Sequence, residues 1–353
     1  MAYTDIDKPS DYFDTLLYSG TGSSNAITGL DFQPDWVSIK KRSAAGSGNV
    51  YDSVRGALKH ISTNLTAAEE TESSGAGLTT FGSNGFTVGT EPTGNGSVNQ
   101  SSQTYVGWCW KAGGSASSNS NGTITSSVSA NTDAGFSIVS YTGNGSDNAT
   151  IGHGLGSSID FVIVKRRNTT SNWLVQGSKV GTGYGQYLEL NATNAIASAS
   201  DNIKSVSSSL LTLGTNGSCN GSSDTYIAYC FAEKKGYSKF SSYTGNGNAD
   251  GTFVYTGFKP AFVMVKNTGV SEQWSMHDLK RNDAVIPNYA RLTADDSQAE
   301  ATNTTFAKVE ILSNGFKLGN SADVINDSGV EFIYMAFAEQ PFVTSTGVPA
   351  TAR

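Results

Sequence analysis

The stretch TYIAYCFAE (residues 225–233) decides the fold. Its seven consecutive non-polar residues include β-branched and aromatic types and stop at a charge. A run that short and that apolar reads as a strand covered on both faces, not as a helix. The chain carries it three times, first as TYVGWCWKA (104–112) and last as EFIYMAFAE (331–339). In register, one face reads Val106, Trp108, Trp110, then Ile227, Tyr229, Phe231, then Ile333, Met335, Phe337. The other face holds smaller groups: Gly107 and Cys109, Ala228 and Cys230, Ala336 and Ala338, with Tyr334 the exception. Sorting large and small side chains with period two is what a strand in a sandwich core needs.

Working outward, each copy closes a unit of about 100 residues, and internal repeats of this kind set the architecture. Each unit opens on an aromatic strand ending in a glycine turn: YSGTG (18–22), YTGNG (141–145) and YTGNG (243–247). Asn-Gly tolerates the positive φ of a tight turn. A second buried strand with basic residues at its end follows: DWVSIKKR (35–42), DFVIVKRR (160–167) and AFVMVKN (261–267). Lys40, Lys165 and Lys266 fall in register, 22, 24 and 23 residues after the opening tyrosine. A variable middle carries Tyr51, Trp173 or Trp274. SNGFTVG (83–89), SSLLTLG (208–214) and SNGFKLG (313–319) then lead to the closing strand; the second has lost Asn-Gly, so its turn should differ. The expected organisation is one sandwich over 1–112 with an amino-terminal arm, a Gly/Ser/Asn-rich linker over 113–133, sandwiches over 134–235 and 236–342, and a tail over 343–353. The linker's first ten residues read as flexible, and 124–128 as a candidate edge strand. Units two and three join directly and are expected to pack as the closer pair. The terminal segments lack a core pattern and read as arms that order against a neighbouring subunit. Residues 52–70 could hold a turn of helix, but strand and loop is the preferred reading.

Composition agrees with an all-β class. Gly is 40 of 353 residues, charged residues are only 15%, and long 3.6-period apolar stripes are missing. The net charge of -7 argues against general binding to nucleic acid or anionic membranes. No apolar run approaches the ~20 residues of a membrane span, and the amino terminus lacks the basic and apolar regions of a signal peptide. Three cysteines make no disulfide framework: Cys109 and Cys230 are equivalent positions in different units, and Cys219 sits in a Gly/Ser loop.

Reaction chemistry finds little footing. Glycoside hydrolysis needs two carboxylates facing one cleft, and no strand carries acids at alternate positions. Glu189 stands alone, while Glu69, Glu70, Glu72, Asp295, Asp296 and Glu300 lie in polar segments. GSCNG (217–221) imitates a nucleophile elbow without the helix an elbow requires. His60, His153 and His277 occupy non-equivalent places. Asn246, Asn248 and Asp250 match half a calcium loop but lack its closing glutamate. No cofactor or metal is expected. Two sets of residues remain as candidate ligand contacts. Lys40, Lys165 and Lys266 could meet an anionic polymer, or simply end a buried strand. Tyr51, Trp173 and Trp274, with Tyr184 and Tyr187, could stack on sugar rings, or pack in the core.

The set YTGNG, TGFKPAFVMVK, SNGFKLG, YIAYCFAE and FIYMAFAE, with an opening MAYTDIDKPSDYF and GLDFQPDWVSIKKR, resembles a repeated domain of virion structural proteins from tailed bacteriophages, especially those of marine bacteria. The resemblance covers nearly the whole chain. It implies tandem jelly-roll or concanavalin-A-like β-sandwiches in a protein exposed on the particle, assembled in the host cytoplasm. The expected role is non-enzymatic: a tail fibre or spike that attaches to host-surface glycan as a symmetric homo-oligomer, such as a trimer, among other virion proteins. A head decoration or cement protein is the first alternative, and a polysaccharide depolymerase the second. Neither nucleic-acid binding nor membrane insertion is expected.

Overall fold

The fold is that of a computed structural model, which describes residues 4–92, 94–281, 290–302 and 307–350. Nearly every apolar run in it is a strand, and all named strand pairs are antiparallel. The sheets come in three pairs. Each pair joins a large sheet, built on the closing strand, to a three-stranded one. The closing strands span Thr104–Trp110, Thr225–Phe231 and Glu331–Pro341. Each lies between the opening strand of its unit (Phe13–Ser19, Phe136–Thr142, Ser238–Thr244) and its lysine strand (Trp36–Lys41, Phe161–Arg166, Phe258–Asn267).

The small face of the closing strand looks into the sandwich. In the first unit Val37, Ile39, Tyr105 and Cys109 meet Ile27, Leu78, Phe86 and Val88. Gly107 leaves room for the Phe86 ring, since a Cβ there would come 3.0 Å from its Cζ. The bulky face looks the other way, out of its own sandwich. Its nine side chains from the three units join one shared cluster, with Phe13, Trp36, Phe136, Phe161, Phe240 and Phe262. Trp36 packs on Phe136 and Tyr229, Phe231 on Phe240 and Phe337, and Phe13 on Phe262 and Phe337. The three large sheets are therefore the walls of a triangular prism, closed within one chain. Burying each such side chain stabilises by about 1.5–3 kcal/mol. Nine of them amount to roughly 14–27 kcal/mol, comparable to or above the ~5–15 kcal/mol net stability of a typical domain, so leaving this face bare would cost about as much as the fold is worth.

The prism has two different ends. Registers place Phe13, Phe136 and Ser238, where the opening strands begin, at one end with Trp110, Phe231 and Phe337. Both inter-unit linkers start and finish there. Residue Asp5 donates its amide to Lys235 O (2.9 Å), and Ser345 donates its amide to Asp7 (2.6 Å). The described parts of both terminal segments thus make hydrogen bonds to their own chain; 1–3 and 351–353 lie outside the described residues. The linker is less loose than expected: Ser117–Asn119 and Ser126–Asn131 form a hairpin that edges the second large sheet. Residues 52–70 contain strand and loop, with Lys59–Ser62 pairing on Asn49–Asp52.

The far end carries the three glycine turns, and one polar latch holds each. The opening tyrosines Tyr18, Tyr141 and Tyr243 donate their hydroxyls to Val98 O, Cys219 O and Ile325 O at 2.6–2.7 Å. The next residue is a buried asparagine in every copy: Asn99, Asn220 or Asn326. Its Oδ1 accepts from Thr21, Asn144 or Asn246 N in the turn (2.9–3.0 Å), while its amide donates to loop carbonyls. Asn246 and Asn248 thus serve this latch. The SNG turns brace the structure as well. Asn84 O accepts from Gly29 N and Leu30 N, and Asn314 O accepts from Thr256 N and Gly257 N. In the second unit the turn spans the same two residues, closing from Ser207 N to Leu210 O, but differs in that Ser207 Oγ accepts from Ser209 N and Leu210 N.

The units do not meet equally. Between one and two, Asp52 and Arg55 are fully buried, Arg55 reaches Glu69, and Arg167 of unit two grips Glu69 with two bonds (2.8 and 3.0 Å). Tyr229 donates to Asp52 at 2.7 Å. Between three and one the pattern recurs as Asp278, Arg281, Glu300 and Arg42, with Trp108 Nε1 donating to Asp278 at 2.9 Å. Between two and three the same positions hold Gly177, Val180, Ile196, Thr268 and Met335. The equivalent backbone bond, Ile196 N to Thr268 O, persists without charges. No unit pair stands apart as closer; the three form a ring.

Removing one member of a buried ion pair leaves the other uncompensated. Asp52→Ala should therefore cost about 3–5 kcal/mol in urea unfolding. The triple change Asp52→Gly, Arg55→Val, Tyr229→Met copies the uncharged seam and should cost less than the single change. A larger loss for the triple variant would contradict this account of the seams.

Candidate functional site

The lysines and aromatics singled out in the sequence are all inside. Lys40, Lys165 and Lys266 are at most 1% exposed, and so are Tyr51, Trp173 and Trp274. Each lysine leaves its strand toward the axis and donates to a backbone carbonyl of the neighbouring unit. Lys40 reaches Asp296 O (2.5 Å), Lys165 reaches Thr66 O (2.9 Å), and Lys266 reaches Thr193 O (3.0 Å). Unit one thus holds three, two holds one, and three holds two. The indoles repeat this: Trp173 Nε1 donates to Ser62 O and Trp274 Nε1 to Glu189 O, both at 2.9 Å. Tyr51 is not their counterpart, because it packs inside the first sandwich. Tyr184 and Tyr187 are partly buried against the second sandwich, with Tyr184 donating to Ile159 O. The three lysines, Tyr51, Trp173 and Trp274 are the joinery between units and within them, and none of these six presents a surface to a sugar or polymer.

Burial lowers all three lysines to about 8, because an ammonium loses hydration on leaving water. In the unfolded chain they titrate near 10.4. Through these three groups the folded protein binds fewer protons than the unfolded one above pH ~8, so their contribution to stability rises with pH there. The three buried thiols, which burial raises, oppose this above about pH 8.5, and the buried tyrosines do so above about pH 10. The lysine contribution is therefore read by difference. The urea midpoint of the Lys40→Met, Lys165→Met, Lys266→Met triple variant should fall relative to that of the unsubstituted chain between about pH 8 and 10, and a constant difference would sink the assignment.

What the chain does present lies at the far end of unit one. The loop over 89–103 is longer than its counterparts over 214–224 and 319–330. With the loops after the lysine strand and after Lys59–Ser62, it encloses a groove of about 610 Å³. Lys41, Asn64, Glu91, Asn95, Ser97 and Gln100 line it, and Ser297 of unit three completes the wall. Lys41 donates to Gln100 Oε1 (2.8 Å) and lies 5.9 Å from the Tyr105 ring centroid. Glu91 accepts from Asn99 N (2.8 Å) and Ser97 Oγ. Asn64 Oδ1 is buried without a partner among the described residues. Gly46 N donates to Ser297 O (2.7 Å), so the wall is tied across the seam. Sequence reading missed this groove because its residues are scattered polar loop positions without a spacing.

Beneath the loop, His60 Nδ1 lies 2.8 Å from Glu72 Oε1. Gly96 packs on both, where a Cβ would collide. Burial, reinforced by Glu70 and Glu91, lifts Glu72 to about 7, and burial lowers His60 to about 4. The imidazole is therefore neutral across the neutral range, and the contact is not an ion pair; below about pH 7 its partner is a neutral acid. Cys219 is buried, and burial pushes its thiol up to about 12, which removes it as a nucleophile at neutral pH. No group of three or more His, Cys, Asp or Glu among the described residues is arranged to hold a metal ion. Nor is any helix among them long and apolar enough to cross a membrane. His60 should show no imidazolium-sized change in its ring NMR shifts between about pH 5 and 8, where a free histidine titrates, beyond a small perturbation as Glu72 ionises at about 7. A full imidazole-to-imidazolium transition with a midpoint at about 6.5 would contradict the neutral imidazole.

No curated protein and no solved structure gives a significant match to this chain. A family described as a domain of unknown function, DUF7483, matches residues 8–341. That span takes in all three units, from the first opening strand to the last closing strand, and the chain belongs to this family.

Proposed function

We propose that the chain is a non-enzymatic bacteriophage virion protein, a fibre- or spike-type tail appendage fixed by one end and facing the host envelope with the other. The resemblance of its repeated motifs to virion proteins gives the class. The observation that carries the orientation is the polarity of the prism. Terminal segments and inter-unit linkers gather at one end, while the latched turns and the groove occupy the other. The latches and the shared core make the far end a rigid platform, which lowers the ordering cost of binding. The groove offers amides, hydroxyls, one ammonium and one carboxylate, a set suited to the hydroxyls of a glycan. Burial of the tandem lysines and tryptophans moves the proposed contact away from them and onto Asn64, Asn95 and Gln100.

Antibodies raised against residues 89–103 test the reading on intact particles. Label at tail extremities, with blocked adsorption, is the expected result. Label spread over head capsomers would replace it with the decoration role. Release of reducing ends from host polysaccharide by the purified chain would replace it with the depolymerase role.

A further inference from the structure

The three units can be compared position by position where their large sheets face the axis. Opposite the lysine of each unit stands Trp173 in the second, Trp274 in the third and Gly48 in the first, as the strand registers fix. Two residues before the lysine stand Ile163, Met264 and Ser38. Unit one is thus cut back at two neighbouring axial positions where the other units are bulky. The space is not refilled. A cavity of about 40 Å³ remains, lined by Ser38, Lys40, Gly48, Val50, Trp108 and Met276 among others. Lys165 and Lys266 do not line it, so it leans toward unit one.

Ser38 gives an independent sign of the same void. It sits mid-strand, hydrogen-bonded in sheet on both sides and covered on both faces, yet it is only half-buried. Its exposed surface faces the cavity, and its hydroxyl has no protein partner among the described residues. Lys40 is turned away to Asp296 O. Thr63, which shares the wall, donates its hydroxyl to Ala294 O at 2.8 Å. A stable buried water needs about two to four polar partners, and Ser38 supplies one.

We propose that this cavity is a binding site for a small, mostly apolar guest carrying one hydrogen-bonding group, of the class of short-chain alcohols. The cavity has room for about three heavy atoms at roughly 10–15 Å³ each. The indole of Trp108 and the methionine side chains supply the apolar wall, and Ser38 Oγ takes the guest's hydroxyl. The site does not depend on the role proposed above, since it belongs to the axis and not to the groove.

The chain carries its own reporters. It has four methionines; Met264, Met276 and Met335 all line the cavity, and Met1 lies outside the described residues. Methyl-13C-methionine spectra of the whole protein would be titrated separately with ethanol and with xenon. Saturable shifts confined to the three axial methyls are expected with both. Ser38→Ala should keep the xenon response and weaken ethanol about fivefold, the effect of one neutral hydrogen bond. Ser38→Ile, which copies unit two, should abolish both. Xenon shifts without ethanol shifts would overturn the assigned ligand class. Silence with both, or unsaturable shifts that include Met1, would overturn the site.

Discussion

Three sheets each carry a bulky apolar face that water cannot be allowed to reach, and each finds its cover only in the other two. That mutual burial governs the rest of the molecule. It explains why Trp108, Tyr229 and Met335 are large while Gly107, Ala228 and Ala336 are small. The first row must reach an axis shared by three walls, and the second must admit a close-packed outer sheet. It explains the lysines as well. At the far end of each wall the core gives out, and a long cationic side chain can lie along the seam and satisfy an unpaired carbonyl of the next unit.

Much of this was legible in the residues. Four landmarks in fixed order announced three copies of an antiparallel unit, and the strands lie where the apolar runs placed them. The destination of the bulky row was not legible. Period-two patterning says that a strand has two unlike covered faces, but not whether the cover comes from its own sandwich or another. The aromatic alignment failed for a related reason. Unit one has Gly48 where its copies have tryptophan, and the nearest aromatic in sequence, Tyr51, points into the sandwich.

The latch left a mark in the sequence that is easily overlooked. Asn99, Asn220 and Asn326 each precede an aromatic of the closing strand (Tyr105, Tyr226 or Phe332) by six residues. Those aromatics stack on the opening tyrosines at 5.1 Å in every copy. A constant Asn-to-aromatic interval is a signal of tertiary origin, because the asparagine serves a turn some 80 residues away. The groove left no such trace. Its residues belong almost wholly to one unit, so the internal repeat offered no second copy against which to notice them.

The three seams also differ in how the chain itself holds their sides together. Units two and three follow one another almost without pause, so their faces are kept at high effective concentration by the backbone alone. Their seam is the one without the buried Asp–Arg–Glu–Arg chain. Units one and two are joined through the long hairpin of 113–133, and units three and one share no direct junction. Those two seams carry the Asp–Arg–Glu–Arg chains. Buried ions add little net attraction, but they penalise every misaligned docking in which they would go unpaired. The polypeptide has placed its proofreading where a short tether could not do the same work. A circular rearrangement that opened the tight two–three junction would leave the ring with one seam guarded by neither connection nor ion pair.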